Sequence, residues 1–181
     1  RLVLARPTRI GIASVTREHR LEALRELLAV RFADVPIVVA QSLAGCGRLR
    51  VAYALPEKLG VDRFLALLAA SQRQTAQLLV GVGTALTIDA IDAHGRHHGG
   101  LIIPGAGLMR TSITARAPGV YWRDGADVAE FAAETESALE SGVWCALAGA
   151  VERSARRVAT SQPSHPARPS GPSAMPSASR S

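Results

Sequence analysis

The sequence predicts an α/β protein, and three observations carry that prediction. Two short β-branched runs flank an amphipathic stretch with tight links on either side. Three further strand-like runs follow one another with only short turns between them. The composition, 48% hydrophobic against 20% charged, supplies enough apolar surface for a sizeable core.

In chain order, 8–15 reads as a strand built on Ile10, Ile12 and Val15. Thr16 is a candidate N-cap for a helix over 17–32, whose apolar residues Leu21, Leu24, Leu27, Leu28 and Phe32 fall at the three-and-four spacing of one face. Asp34 and Pro36 end it, and 35–40 is too short and too β-branched for anything but a second strand. Strand, helix and strand in this order form a βαβ unit. Gly45 and Gly47 mark a loop before 51–53, and Pro56 leads into a helix over 61–74. Strands are expected over 77–82 and 85–91, joined at Gly83-Thr84, and over 98–103 after the turn signal Asp92-Ala93-His94-Gly95. Such a meander opens a second lobe. Helices are expected over 106–115 and 134–158. From 161 onward, prolines such as Pro163, Pro166 and Pro169 alternate with serine, a composition too poor in apolar side chains to offset its ordering entropy, so this tail is expected to be disordered.

The bulk chemistry excludes several classes. A net charge of +6, almost all from arginine, is compatible with nucleic acid, but the arginines are scattered and aromatics for base stacking are 4% of the chain. Neither nucleic acid nor membrane is therefore expected as a partner. No apolar run approaches the ~18 residues that a bilayer requires, and the first residues lack a signal-peptide pattern. The chain starts at Arg1 rather than Met, so residues are expected ahead of it. Cys46 and Cys145 have no paired spacing, which suits a reducing cytosol.

Three glycine-containing stretches can carry chemistry. In 53–63, Gly60 permits close backbone approach, Asp62 sits in the first turn of a helix where a carboxylate can take a hydroxyl proton, and Arg63 can hold an anion. An Asp that merely complements the helix dipole, with a solvated Arg63, fits the same residues. In 81–89, Gly83 and Thr84 at a turn offer N–H groups and a hydroxyl to a phosphate, or simply close a hairpin. The stretch is neither a Walker loop nor a dinucleotide fingerprint, since no Gly-Lys-Ser/Thr follows and residue 86 is Leu. In 99–107, a strand followed by Pro104-Gly105 and a helix can face an anion or form a packed bend. His94, His97 and His98 are poor metal ligands, because neighbouring strand residues point to opposite faces and no cysteine lies nearby.

Taken together, these stretches resemble the type III pantothenate kinases, which are related to the Bordetella Bvg accessory factor proteins. The family pattern Tyr-x-x-Pro-x-x-Leu-Gly-x-Asp-Arg is complete from Tyr53 to Arg63. Asp-x-Gly-Thr-Ala-x-Thr-x-Asp corresponds to Gly81 through Asp89 with one change, and Gly-Gly-x-Ile-x-Pro-Gly to Gly99 through Gly105. A Thr-x-x-Ala segment with a glycine four residues on corresponds to Thr135 through Gly142. Order and spacing agree over residues 8–158.

The resemblance implies an actin-like ATPase fold of two ribonuclease-H-like lobes, here a partial first lobe over 1–76, a second over 77–160 and the tail over 161–181. It implies a cytoplasmic homodimer that phosphorylates pantothenate with ATP and Mg²⁺. By motif, Tyr53, Gly60, Val61, Asp62, Arg63 and Thr135 contact pantothenate, Asp62 is the proton acceptor and Thr84 binds ATP phosphate. The family's monovalent cation, K⁺ or NH₄⁺, takes a carboxylate from the position that is Gly81 here. The family's opening Asp-x-Gly-Asn-Thr phosphate stretch has no counterpart before Thr8, and Pro/Ser-rich sequence follows Arg157. Truncation at both ends is therefore expected, and a catalytically impaired binding or regulatory protein on the same scaffold is the alternative.

Overall fold

A computed structural model describes residues 6–16 and 18–160, so the disorder expected from 161 lies outside the described residues. The first unit is β1 (Ile10–Ile12), α1 (Glu18–Arg31) and β2 (Ile37–Val39), with β1 and β2 parallel and Ile10 opposite Ile37. The expected βαβ unit is present. The expected apolar face of α1 is not buried: Leu24 and Leu27 are exposed and no residue of the helix is buried. A two-stranded ribbon of three-residue strands offers too little surface to cover a helix face.

A tight hairpin follows, β3 (Gly45–Cys46) and β4 (Leu49–Arg50), turning at Gly47, whose φ of +56° suits glycine. Where a loop is expected from the glycines, the chain thus forms two minimal strands. A single turn of 3₁₀ helix (Pro56–Lys58) leads to α2 (Val61–Ser71).

The main sheet is an antiparallel meander of β5 (Gln77–Val82), β6 (Ala85–Ile91) and β7 (His97–Pro104), ordered β5-β6-β7. Two helices complete the described residues, α3 (Ala106–Thr114) and α4 (Thr135–Thr160). Strand β6 is central, and its alternation builds two cores. Leu86 and Ile88 pack with Leu139, Val143 and Leu147 of α4. Ile91, on the other face, packs with Leu49, Leu59, Phe64, Leu67 and Ala70, and Leu79 of β5 lies against the same cluster. This second core joins 49–70 to the meander, so packing is continuous across residue 76.

One irregularity positions the site. Asp89 pairs with Gly100, yet Ile91 pairs with His97, so β7 carries one extra residue. Gly99 absorbs it at a φ of +94°. Without this bulge His98 would stand opposite Ile91. With it His97 turns into the core, 2% exposed, while His98 stays on the surface.

Candidate functional site

Asp89 lies within the apolar strand β6, where alternation sends it under α2. A buried carboxylate needs partners, and it has three donors. Arg63 Nε reaches Oδ2 at 2.8 Å, Arg63 Nη2 reaches Oδ1 at 2.6 Å, and His97 Nε2 reaches Oδ1 at 3.0 Å. Burial raises the affinity of this carboxyl for its proton, but the hydrogen bonds from His97 and Arg63 outweigh it and hold Asp89 below the usual carboxylate range. Arg63 is shifted upward, chiefly by its hydrogen bond to Asp89 and against its own burial. The pair is a two-pronged contact between flat groups.

Arg63 Nη1 donates to the Tyr53 hydroxyl at 3.2 Å, and the guanidinium carbon stands 5.8 Å from the Tyr53 ring centroid. Tyr53 stacks on His97 with centroids 6.1 Å apart and ring planes 18° from parallel. The close quarters explain a motif glycine. A Cβ on Gly100 would stand 2.5 Å from both Arg63 Nη2 and the Ile88 carbonyl oxygen, and closer still to Asp89 Oδ1.

Arg63 and Asp89 of this group floor a cleft of about 370 Å³ lined also by Asp62, Ala66, Gly81 and Thr87, with Leu79 and Val80. Asp62 is exposed at its mouth, in the first turn of α2, with Oδ1 turned back toward Gly60. A free carboxylate beside a fixed guanidinium can accept a hydroxyl proton next to an anion-binding group. Gly60 and Val61 line a neighbouring cleft of about 530 Å³ with Ser14, Thr16, Ser42 and Lys58. The two clefts flank the start of α2.

Thr84 is exposed at the β5–β6 hairpin, beyond Gly81 on the same strand connection. The hairpin rests on the start of α3: Gly105 N–H donates to the Thr84 carbonyl at 2.9 Å, and a Cβ on Gly105 would lie 2.7 Å from that oxygen. Thr135 begins α4, on the face of β6 opposite the Asp62 cleft. Within one chain, then, Asp62, Arg63 and Gly81 line one cleft, Tyr53 touches Arg63 without lining it, Thr84 lies beyond, and Thr135 is separated from them by the sheet. Asp89 and His97 are what reading the motifs leaves without a role. The signal for Asp89 is a carboxylate amid strand apolar residues; His97 gives none, because the bulge selects it over His98.

The cation position has no carboxylate to offer. A Cβ on Gly81 would point at Thr87 Oγ1, 2.6 Å away, and Asp89 is already bonded to Arg63 and His97. The residues present do not fit a carboxylate-bound monovalent cation. Among the described residues no group of three or more His, Cys, Asp or Glu is placed to hold a metal ion, and no helix is long and apolar enough to cross a membrane.

The mixed α/β architecture is shared with the crystal structure of a conserved protein from Campylobacter jejuni, described as a Baf family transcriptional activator. The TM-score is 0.56 over 82% of this chain and 65% of that one, at 20% identity, a likeness of fold. The family model for type III pantothenate kinase matches residues 2–157. Type III pantothenate kinases from Stenotrophomonas maltophilia and Xanthomonas campestris are 47% and 45% identical to the chain over 149 residues. One from Xylella fastidiosa is 45% identical over 143 residues, 79% of this chain and 57% of its own. The chain belongs to the type III pantothenate kinase family. It spans about 60% of the length of the Stenotrophomonas and Xanthomonas relatives, and the matches cover 82% of the chain itself.

Proposed function

We propose that the chain phosphorylates pantothenate at its 4′-hydroxyl with ATP, yielding 4′-phosphopantothenate, the first step of coenzyme A biosynthesis. The observation that carries this reading is the exposed Asp62 carboxylate at the mouth of a cleft floored by the anchored Arg63. Asp62 accepts the hydroxyl proton as that oxygen bonds to the γ-phosphorus; the bond to the bridging oxygen breaks and ADP leaves. Arg63, with Tyr53, holds the anionic substrate, and Gly60 and Val61 bound its path along α2. Thr84 and its hairpin receive ATP phosphate, with Mg²⁺ arriving as part of the nucleotide substrate. The family match over residues 2–157 spans all of these positions.

Two ribonuclease-H-like lobes of the actin-like kind, 1–76 and 77–160, fit the change from parallel βαβ to antiparallel meander. The boundary is then one of topology, since the core crosses it. The placement of Thr135 supports a homodimer: it can contact pantothenate at the Asp62 cleft only from a second copy. Two free, exposed cysteines suit the cytoplasm.

The test is ADP release dependent on pantothenate, with Asp62→Asn as the paired variant and circular dichroism to check its fold. Wild-type turnover should fall by about 10²–10⁴-fold in the variant. Equal rates in both proteins, or pantothenate binding by the wild type without turnover, would overturn the catalytic reading.

A further inference from the structure

We infer that His97 is a positioning residue for the candidate site, fixing Asp89 and Tyr53 and through them the direction in which Arg63 faces the cleft. The inference rests on the reading above in which Arg63 and Tyr53 meet the substrate.

His97 is not among the residues that line the cleft, and its side chain has no exposed surface. Its side chain is buried and all of its polar capacity is used. Nε2 donates to Asp89 Oδ1 at 3.0 Å, and Nδ1 accepts the Ala52 N–H at a long 3.4 Å, which places the ring proton on Nε2. The ring also stacks on Tyr53. One side chain therefore touches the backbone before Tyr53, the Tyr53 ring and the carboxylate that anchors Arg63. Tyr53 closes the circuit by accepting from Arg63 Nη1.

The circuit matters because its parts are otherwise loosely held. Tyr53 lies outside any helix or strand, and its segment is tied by Val51 N–H to the Ala44 carbonyl at 2.9 Å and by Ala52 N–H to His97. Arg63 has a long stem with many rotamers. Three of its five N–H groups are bound by Asp89 and Tyr53. The other two, one on each terminal nitrogen, are thereby set in direction for a ligand in the cleft. Asp89 can hold the guanidinium fork only if its own plane is fixed, and the donor from His97 fixes it. The bulge at Gly99 exists in the same place, and it is what turns this histidine rather than His98 inward.

The experiment compares wild type with His97→Gln and His97→Leu. Gln keeps a donor near the Nε2 position and loses the ring and the Nδ1 acceptor; Leu loses all three. Two readouts are taken on the intact chain: the Arg63 side-chain Nε–H and Tyr53 ring resonances by NMR, and pantothenate affinity by calorimetry. In wild type the Arg63 signal should be sharp and slow to exchange. Leu should broaden it and weaken pantothenate binding about tenfold. Gln should keep the Arg63 signal, shift Tyr53 and weaken binding about threefold. If Leu does not fold, Gln carries the test: an unshifted Tyr53 and unchanged affinity would overturn the inference. Pantothenate binding by wild type with unchanged signals and affinity in the variants likewise overturns it, leaving the functional reading intact. The expected NMR pattern in a wild-type chain that binds no pantothenate supports the positioning role while defeating the functional reading.

Discussion

At the scale of single residues, the site is built from close approach. Gly100 stands opposite Asp89 in register and leaves the space in which Arg63 and Asp89 meet. An added methyl there meets the carbonyl of Ile88 as well as both charged groups, and backbone cannot swing aside as a flexible side chain can. Gly100→Ala is expected to destabilise the chain by about 3 kcal/mol, near the upper end for overpacking a core. Chemical denaturation should show the change as a lowered midpoint. The Asp62 carboxylate is different in kind, because it is exposed and its removal should cost activity without comparable cost in stability. This contrast between Gly100 and Asp62 is legible only in part from sequence. The motif names both residues, but the partner of each depends on the cross-strand register and on a single bulge.

At the scale of elements, the α3–α4 pair is pinned by a second, partly buried ion pair. Arg110 of α3 clasps both oxygens of Glu140 of α4, with Nε to Oε2 at 2.6 Å. The indole N–H groups of Trp122 and Trp144 reach the same carboxylate at 3.0 and 2.7 Å, and the Arg110 guanidinium carbon lies 5.0 Å from the Trp122 ring centroid. This ties the 115–134 connection, which carries Trp122, onto both helices. The hydrogen bonds from Arg110, and then those from the indoles, hold Glu140 below the usual carboxylate range despite its burial. A depressed folded-state value means stabilisation that is complete above the unfolded value of about 4.3 and is lost as pH falls through the folded one. The chain's two tryptophans both contact this carboxylate. Their fluorescence should therefore stay constant from neutral pH down to about 5 and change below about 4. Glu140→Gln should abolish that transition and cost about 3 kcal/mol, because Arg110 is left without its counter-charge.

The elements themselves were readable to different degrees. The strands 77–82 and 85–91 coincide with expectation because a Gly-Thr turn divides two β-branched runs. The long helix runs from Thr135 to Thr160 where 134–158 was expected, since its apolar periodicity is continuous. Helix α1 kept its span but not its burial, because periodicity marks an apolar face and says nothing of what covers it. The β3–β4 hairpin was invisible, as two-residue strands carry no period at all.

At the scale of the whole molecule, one strand organises everything. The two buried faces of β6 supply, respectively, the core under α4 and, with the second core, the floor of the Asp62 cleft. Identity of 45–47% over about four-fifths of the chain carries the family assignment. The positive charge of +6 finds no concentrated patch in the motifs and takes no part in the account.

The most direct measurement is a crystal structure of the chain with pantothenate bound. The account predicts the 4′-hydroxyl within about 2.6–3.2 Å of the Asp62 carboxylate and the ligand's carboxylate oriented by Arg63 or Tyr53. Pantothenate seated instead between α3 and α4, or bound with Asp62 facing solvent away from it, would contradict the assignment of this cleft.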